Sequence, residues 1–468
     1  MIKKICVLLF MLTLIFTGTV FADYSPESIA KGGTGVVNTG LTALFDNPAS
    51  VHVDNPGNFS FDFGFRTGIG NSFYNFSELM DVIDALDSED EDETLSIFEE
   101  LTEDGLSADV FGDLGLRFRV APSPDFTGSI SGFGGAGGHS SASINPDFFD
   151  FFVKLAEFDE DEEDDLFSQL ETLELDGMGA EVAAYVDSGF SLSYDITEEV
   201  KNNLFEEDMG DLQLDRLTVG GTYHYLYGAM AGFSTGGSLE MEEVTVKGER
   251  GNIAVGEIDI NLIHPGIEDD DFEVSSGSAV DLGLYGEFND KYALGFSVKN
   301  MIGYLATDSG YEAAGSISFI REEIKAEISK RMDEEDEDFG EAYDYVLNNK
   351  LDDFVEENER EDSRVSFRLP LSFQLGGSME ATENVTVSAR TAYIGNRYAP
   401  VDFKFGTGVE TSAFSPLLLR GGVEYSRLLR GVTLSTGIGI DTGGYQMDLA
   451  FSGSGGNFKT GLSMGFEF

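Results

Sequence analysis

Residues 59–66 read Phe-Ser-Phe-Asp-Phe-Gly-Phe-Arg, and residues 461–468 read Gly-Leu-Ser-Met-Gly-Phe-Glu-Phe. Both stretches have period two, with an apolar residue at every second position and a small, polar or charged one between. Side chains alternate across a strand, so each stretch reads as a strand with one apolar and one polar face. The second stops on Phe468 without breaking the pattern, which predicts a last strand that closes a sheet. The pattern recurs at Val280, Leu282, Leu284 and Phe288, at Tyr292, Leu294, Phe296 and Val298, from Val365 to Leu375, and at Val432, Leu434, Ile438 and Ile440. Alternation alone does not say which face meets water. A soluble sheet turns the apolar face inward, and a membrane barrel turns it outward to lipid.

The N-terminus decides between them. Lys3 and Lys4 precede an apolar run, Ile5 to Phe16, too short to cross a bilayer, and Val20-Phe21-Ala22 has the form of a cleavage site. Residues 1–22 are therefore expected to be an export signal, with Asp23 as the mature start. The single cysteine, Cys6, lies in that signal, so the mature chain is expected to lack disulfides, cysteine metal sites and cysteine nucleophiles. Export and a terminal aromatic strand favour the membrane barrel. The expected fold is all-β, a transmembrane antiparallel barrel over residues 57–468. Its expected setting is the cell outer membrane, surrounded by lipid and inserted by the barrel-assembly machinery, with Phe466 and Phe468 as the terminus that machinery reads.

The chain carries 86 acidic and 28 basic residues, a net charge of −58. Such a polyanion is not expected to hold nucleic acid through a general basic surface, since phosphate contact requires cations. A hydrophobic content of 41% is too high for a disordered acidic chain. Three segments, 78–104, 147–176 and 321–362, hold 44 of the 86 acids. Their apolar residues change to spacings of three and four: Leu79, Ile83 and Leu86; Phe148, Phe152 and Leu155; Tyr343, Val346, Leu347, Leu351 and Phe354. These spacings predict amphipathic helices with anionic outer faces. Counting strands inward from both termini gives about 14, with 12 and 16 as the neighbouring even counts, and puts all three inserts on the outer side. Short turns remain on the other side, as bacterial barrels require. Residues 196–275 are less regular and leave room for an extra hairpin.

Before the first strand, Ser28 to Ser50 contains Ala30, Gly32, Gly33, Gly35, Val36 and Ala43, then Asn47-Pro48-Ala49. This resembles the N-terminal segment of the FadL-type outer-membrane transport superfamily, which includes secretion- and conjugation-associated relatives. Ala279 to Gly283, followed by Leu294 to Asn300, resembles the mid-barrel hairpin of the same superfamily, and Leu369-Pro370-Leu371 and Leu419 to Tyr425 resemble its later strands. The resemblance implies a 14-strand barrel, a lumenal hatch over residues 23–56, and small, often hydrophobic, cargo. The three acidic inserts depart from its transporter members. Candidate hatch residues are Gly32, Gly33, Gly35, Asn47, Pro48 and Ala49: glycines allow tight bends in a crowded lumen, and Pro48 biases Asn47 to extended backbone. Candidate lumen-facing residues, on the polar faces of the alternating runs, are Asp62, Arg66, Asp281, Glu287, Lys299, Arg368, Gln374 and Arg390. A charge facing lipid at midplane would cost about 2–4 kcal/mol.

Catalytic motifs are not found. Gly32-Gly33-Thr34-Gly35 lacks the following Gly-Lys-Ser/Thr of a phosphate loop, and His52, His139, His224 and His264 form no His-Glu-x-x-His pair. The acidic clusters lack the glycine and closing glutamate of a calcium loop. No enzyme, cofactor or metal is expected. The expected function is passive uptake of a small hydrophobic or amphipathic ligand through a hatch-gated lumen. The alternative is an assembly or secretion-accessory barrel whose acidic outer helices dock a partner.

Overall fold

The computed structural model describes residues 25–53, 59–71, 106–121, 127–144, 172–174, 179–204, 213–265, 267–268, 271–272, 274–335, 337–349, 355–395, 401–427, 431–454 and 457–468. The expected signal, the mature start at Asp23, the 78–104 insert and most of the 147–176 insert lie outside these residues. Among the described residues no helix is long and apolar enough to cross a membrane. The crossing elements are strands.

The strands are β1 (Phe59–Asn71), β2 (Leu106–Val120), β3 (Gly128–Ile144), β4 (Thr172–Glu174), β5 (Gly179–Asp195), β6 (Leu214–Val246), β7 (Glu249–Pro265), β8 (Ile267–Glu268), β9 (Asp271–Phe272) and β10 (Ser275–Phe288). They continue with β11 (Tyr292–Lys299), β12 (Tyr304–Phe319), β13 (Val355–Arg368), β14 (Leu371–Thr382), β15 (Val385–Gly395), β16 (Asp402–Phe414), β17 (Leu417–Ser426), β18 (Gly431–Asp441), β19 (Tyr445–Gly453) and β20 (Asn457–Glu467). Antiparallel pairing runs β1, β2, β3, β5, β6, β10, β11, β14 and then through β15 to β20. β20 returns to β1, with Phe466 opposite Phe61 and Met464 opposite Phe63. The result is a closed barrel of 14 strands, with no edge left for another chain to extend.

Burial shows which face is which. Asp62, Arg117 and Gln374 are 2% exposed, whereas Leu116 on β2 is 49% and Leu375 on β14 is 54% exposed. Polar side chains point into the barrel and apolar ones out, the arrangement a bilayer selects. Phe466 is on the outer face and Phe468 is exposed at its end.

Three wall strands are built in two pieces. β7 and β10 together run down beside the long β6; β11 continues as β12, and β13 as β14. Among the described residues, the irregular region after residue 196 is one tall hairpin, β6–β7, together with a helix α2 (Thr197–Leu204), and adds no extra wall strand.

The break at Leu369-Pro370 corrects the reading of Arg368. Pro370 has no N–H to donate to a ladder, and the strand slips by one residue there. Below it, Ser372 and Gln374 face inward and are buried. Above it, Arg368 lies opposite Tyr304, which is 37% exposed on the outer face, while Leu305 of the same strand is fully buried inside. Arg368 is thus exposed on the outside and does not line the lumen.

The third acidic insert is only partly helical. α3 (Arg321–Glu335) and α4 (Phe339–Asn349) cover its first two thirds, but Glu356 to Glu361 lie on β13, paired with β12. Residues 172–174, at the end of the second insert, are likewise a strand on β6. α3 and α4 pack on the tip of the β6–β7 hairpin through a closed apolar cluster. It includes Val244, Val246, Ile253, Phe319, Ile324, Ile328, Phe339 and Val346. The Tyr343 hydroxyl accepts from Ala254 N at 2.9 Å, tying α4 to β7.

Candidate functional site: the filled lumen

Residues 25–53 lie inside the ring of strands. They form a short helix, α1 (Pro26–Ala30), then three 3-10 turns: Gly35–Val37, Leu41–Phe45 and Pro48–His52. Ser25 caps α1, its hydroxyl accepting from Ser28 N at 3.1 Å, and Pro26 takes the first turn, where its missing N–H costs nothing. All but five of these 29 residues are buried.

Glycines in the wall make room for this backbone. A Cβ on Gly406, Gly408 or Gly422 would overlap main-chain atoms of Lys31 or Gly32. A Cβ on Gly220 would strike Pro48. Gly33, at φ +81°, sits against the carboxylate of Glu424 and the guanidinium of Arg390, in a backbone region that glycine adopts without strain.

Asn47-Pro48-Ala49 is the main polar anchor. The Asn47 amide accepts from Ala49 N at 3.1 Å and donates to Val36 O at 2.9 Å and to Leu284 O of β10 at 3.1 Å. Ala49 O accepts the hydroxyls of Ser193 on β5 and Thr218 on β6, both at 2.8 Å. Across the lumen, Thr34 and Ser388 share a hydroxyl hydrogen bond of 2.8 Å.

Charged groups complete the packing. Arg390 donates to Glu424 and Gln374, both at 3.1 Å, and Lys459 also donates to Glu424. Arg420 pairs with Asp448 and Glu410, and Arg117 with Asp62. In the N-terminal segment, Lys31 donates to Glu27 at 2.8 Å. Burial works against the Glu27 carboxylate, but Lys31 and Arg420 hold it below the usual carboxylate range. Burial pushes the Asp46 carboxyl up, against Lys299 and the hydrogen bond from Ser25 N.

Of the sequence candidates, Gly32, Gly33, Gly35, Asn47, Pro48 and Ala49 lie in this buried segment, and Asp62, Arg66, Asp281, Lys299, Gln374 and Arg390 are buried on the inner wall. Glu287 is half-buried, near one end of its strand, and pairs with Arg216 at 3.3 Å. Gln374 and Arg390 touch; Asp62 and Arg66 belong to another sector.

Sequence reasoning treated His224 as isolated. In space its Nδ1 lies 3.0 Å from Asp187 and its Nε2 3.2 Å from Asp281. The three residues come from β5, β6 and β10, so no linear spacing records them. The trace in sequence is the alternation of Tyr223, Tyr225 and Tyr227, exposed outside, with Thr222, His224 and Leu226, buried inside. Also missed was an apolar sector in this polar lumen. Ala183, Leu226, Met230, Ala279, Leu305 and Leu369 form one inward cluster, and Leu41, Leu44, Val51 and Phe133 form another at the N-terminal segment. The two meet at His224: Ala279 is its cross-strand neighbour, and the Phe133 ring lies 5.0 Å from its ring. Among the described residues no group of three or more His, Cys, Asp or Glu is placed to hold a metal ion.

Solved structures similar to this chain include the P. putida toluene transporter TodX, 12% identical, with a TM-score of 0.47 over 97% of this chain and 99% of that one. The CymD monoaromatic hydrocarbon channel is 12% identical, with a TM-score of 0.48 over 96% and 99%. A Pseudomonas aeruginosa FadL homologue is 10% identical, with a TM-score of 0.46 over 95% and 98%. Among curated proteins none matches the sequence. The family described as "Family of unknown function (DUF5723)" matches residues 45–400, and the chain belongs to that family.

Proposed function

We propose that this DUF5723 protein is an outer-membrane channel for passive uptake of small hydrophobic or amphipathic molecules, with residues 25–53 as its hatch. The apolar sector carries this reading. Among the described residues the inner wall carries an apolar cluster of Met230, Leu226, Leu305 and Ala279, linked through His224 and Phe133 to the N-terminal segment. The cluster is closed in this structure; where it opens to cargo, each Å² of apolar surface buried contributes about 25 cal/mol, whereas a hydrated solute gains little. The monoaromatic channels above have the same architecture. Their cargo is in keeping with this reading.

The test is uptake into liposomes holding the purified full-length protein. Wild type takes up a radiolabelled apolar probe faster than empty liposomes do. Leu226→Gln combined with Leu305→Gln slows that uptake and leaves the heat-modifiable migration of the folded barrel unchanged. Equal rates for wild type and empty liposomes, over a series of apolar probes, would remove the channel reading.

A further inference from the structure

We propose that Phe45 fills an aromatic-ring site built by the barrel wall, and that an aromatic ring on the cargo takes its place and loosens the turn Leu41–Phe45. This rests on the uptake reading and narrows its cargo class.

Four wall side chains surround Phe45. The guanidinium of Arg66, on β1, lies 5.2 Å from the ring centroid, and that of Arg117, on β2, lies 5.5 Å from it. Phe133, on β3, meets the ring edge-on at 5.1 Å and 80°. Lys299, on β11, donates to the Phe45 carbonyl. Two cations within about 6 Å of one ring and an edge-to-face partner form a site for a π-electron face, which an aliphatic chain of equal volume does not match.

The wall holds this site without help from Phe45. Arg117 is fixed by its ion pair with Asp62, and Gly64 leaves the space its guanidinium crosses. Phe133 lies over Gly189, where a Cβ would strike the ring, and this brings it against His224. His224 is in turn held between Asp187 and Asp281. Removing Phe45 therefore leaves a formed cavity edge. Phe45 is also only half-buried, whereas its neighbours Leu41, Leu44 and Val51 are shut away. Its edge-on partner Phe133 lies against His224, whose cross-strand neighbour Ala279 belongs to the apolar sector, so the ring site and that sector are linked through the wall. A ring that enters there competes with Phe45 for the same two guanidinium groups. Once Phe45 is displaced, the turn Leu41–Phe45 is held to this sector by the Lys299 hydrogen bond without its ring contacts.

The measurement is binding of three matched volatile probes to the detergent-purified full chain, by headspace partition. Anisole has an electron-rich ring, pentafluoroanisole a ring of reversed quadrupole, and methoxycyclohexane no π system. Phe45→Ala, which vacates the site, is expected to bind anisole about tenfold more tightly than wild type does, and about tenfold more tightly than it binds either other probe. Adding Arg66→Gln is expected to erase most of that preference. Equal binding of the three probes by Phe45→Ala would overturn the proposal, since the pocket would then be merely apolar. If Phe45→Ala does not fold, wild type supplies the answer. Saturating anisole should speed amide exchange of residues 41–50 and methoxycyclohexane should not; the same response to both, or to neither, overturns it. Unselective binding with intact liposome uptake refutes the ring site alone. Selective binding without uptake of any probe refutes the channel reading and leaves the ring site standing.

Discussion

Replacing Asn47 with alanine isolates how the N-terminal segment is held. The Asn47 side chain makes three hydrogen bonds at 2.9–3.1 Å, to Val36 O, Leu284 O and Ala49 N, and none of its atoms reaches solvent. A net hydrogen bond contributes about 0.5–1.5 kcal/mol, and a buried group left unpaired costs about 1–3 kcal/mol. Val36 O and Leu284 O can partly turn to other donors, so a loss of about 2–4 kcal/mol in seating free energy is the reasonable range. At about 1.4 kcal/mol per factor of ten, the unseated fraction should rise roughly 30-fold to several hundred-fold. The barrel ladder does not use this side chain, so the barrel's own unfolding should move little. Amide exchange read by mass spectrometry separates the two: exchange in residues 25–53 should accelerate by that factor, with β14 to β20 unchanged. Asn47→Asp should be worse than alanine, because it keeps the bond from Ala49 N and turns two donors into acceptors facing carbonyl oxygens. Unchanged exchange in residues 25–53, or equal loosening of β14 to β20, would refute the claim that Asn47 seats the N-terminal segment independently of the wall.

Three further outcomes follow from the packing. Gly422→Ala puts a methyl into the Lys31–Gly32 backbone and should expose residues 25–53 to protease, whereas its neighbour Gly421→Ala meets nothing closer than 3.9 Å and should behave as wild type. Phe339→Ala should cost the outer helix pair about 3–5 kcal/mol and release α3 and α4 to protease without lowering the barrel's melting temperature. Asp46 makes seating depend on pH: burial raises its seated value above the ordinary 3.8, so its contribution is fully present below 3.8 and is lost as pH rises through the raised value, whereas Glu27, held low, gives the opposite slope only below its ordinary 4.5. Exchange protection of residues 25–53 should therefore grow on mild acidification, and Asp46→Asn should flatten the response; the opposite slope in wild type would contradict this.

Much of the wall was legible because a strand's period of two appears directly in sequence. β1, β10, β11, β18 and β20 fall within a few residues of the alternation that marks them, and the closed barrel has the expected 14 strands. Arg368 was misplaced for the same reason. A period-two pattern carries through Leu369-Pro370 unbroken on paper, but a proline in the ladder shifts the phase, and only the partner Tyr304 reveals it. The helical spacing of Tyr343 and Val346 correctly marked α4, while the acids of 355–362 carried no such period and proved to be strand.

The net charge and the period-two strands were thus set by the linear chain, since both depend only on composition and on neighbours two positions apart. The site was not. Phe45 meets Arg66, Arg117 and Phe133 from three strands, and His224 meets Asp187 and Asp281 from two more. Those residues share a level of the barrel only because antiparallel registers bring positions tens to hundreds of residues apart into one row. Wall glycines such as Gly189 and Gly422 acquire their meaning in the same way: what each admits is a group from a distant part of the chain, and closure of the sheet decides which one.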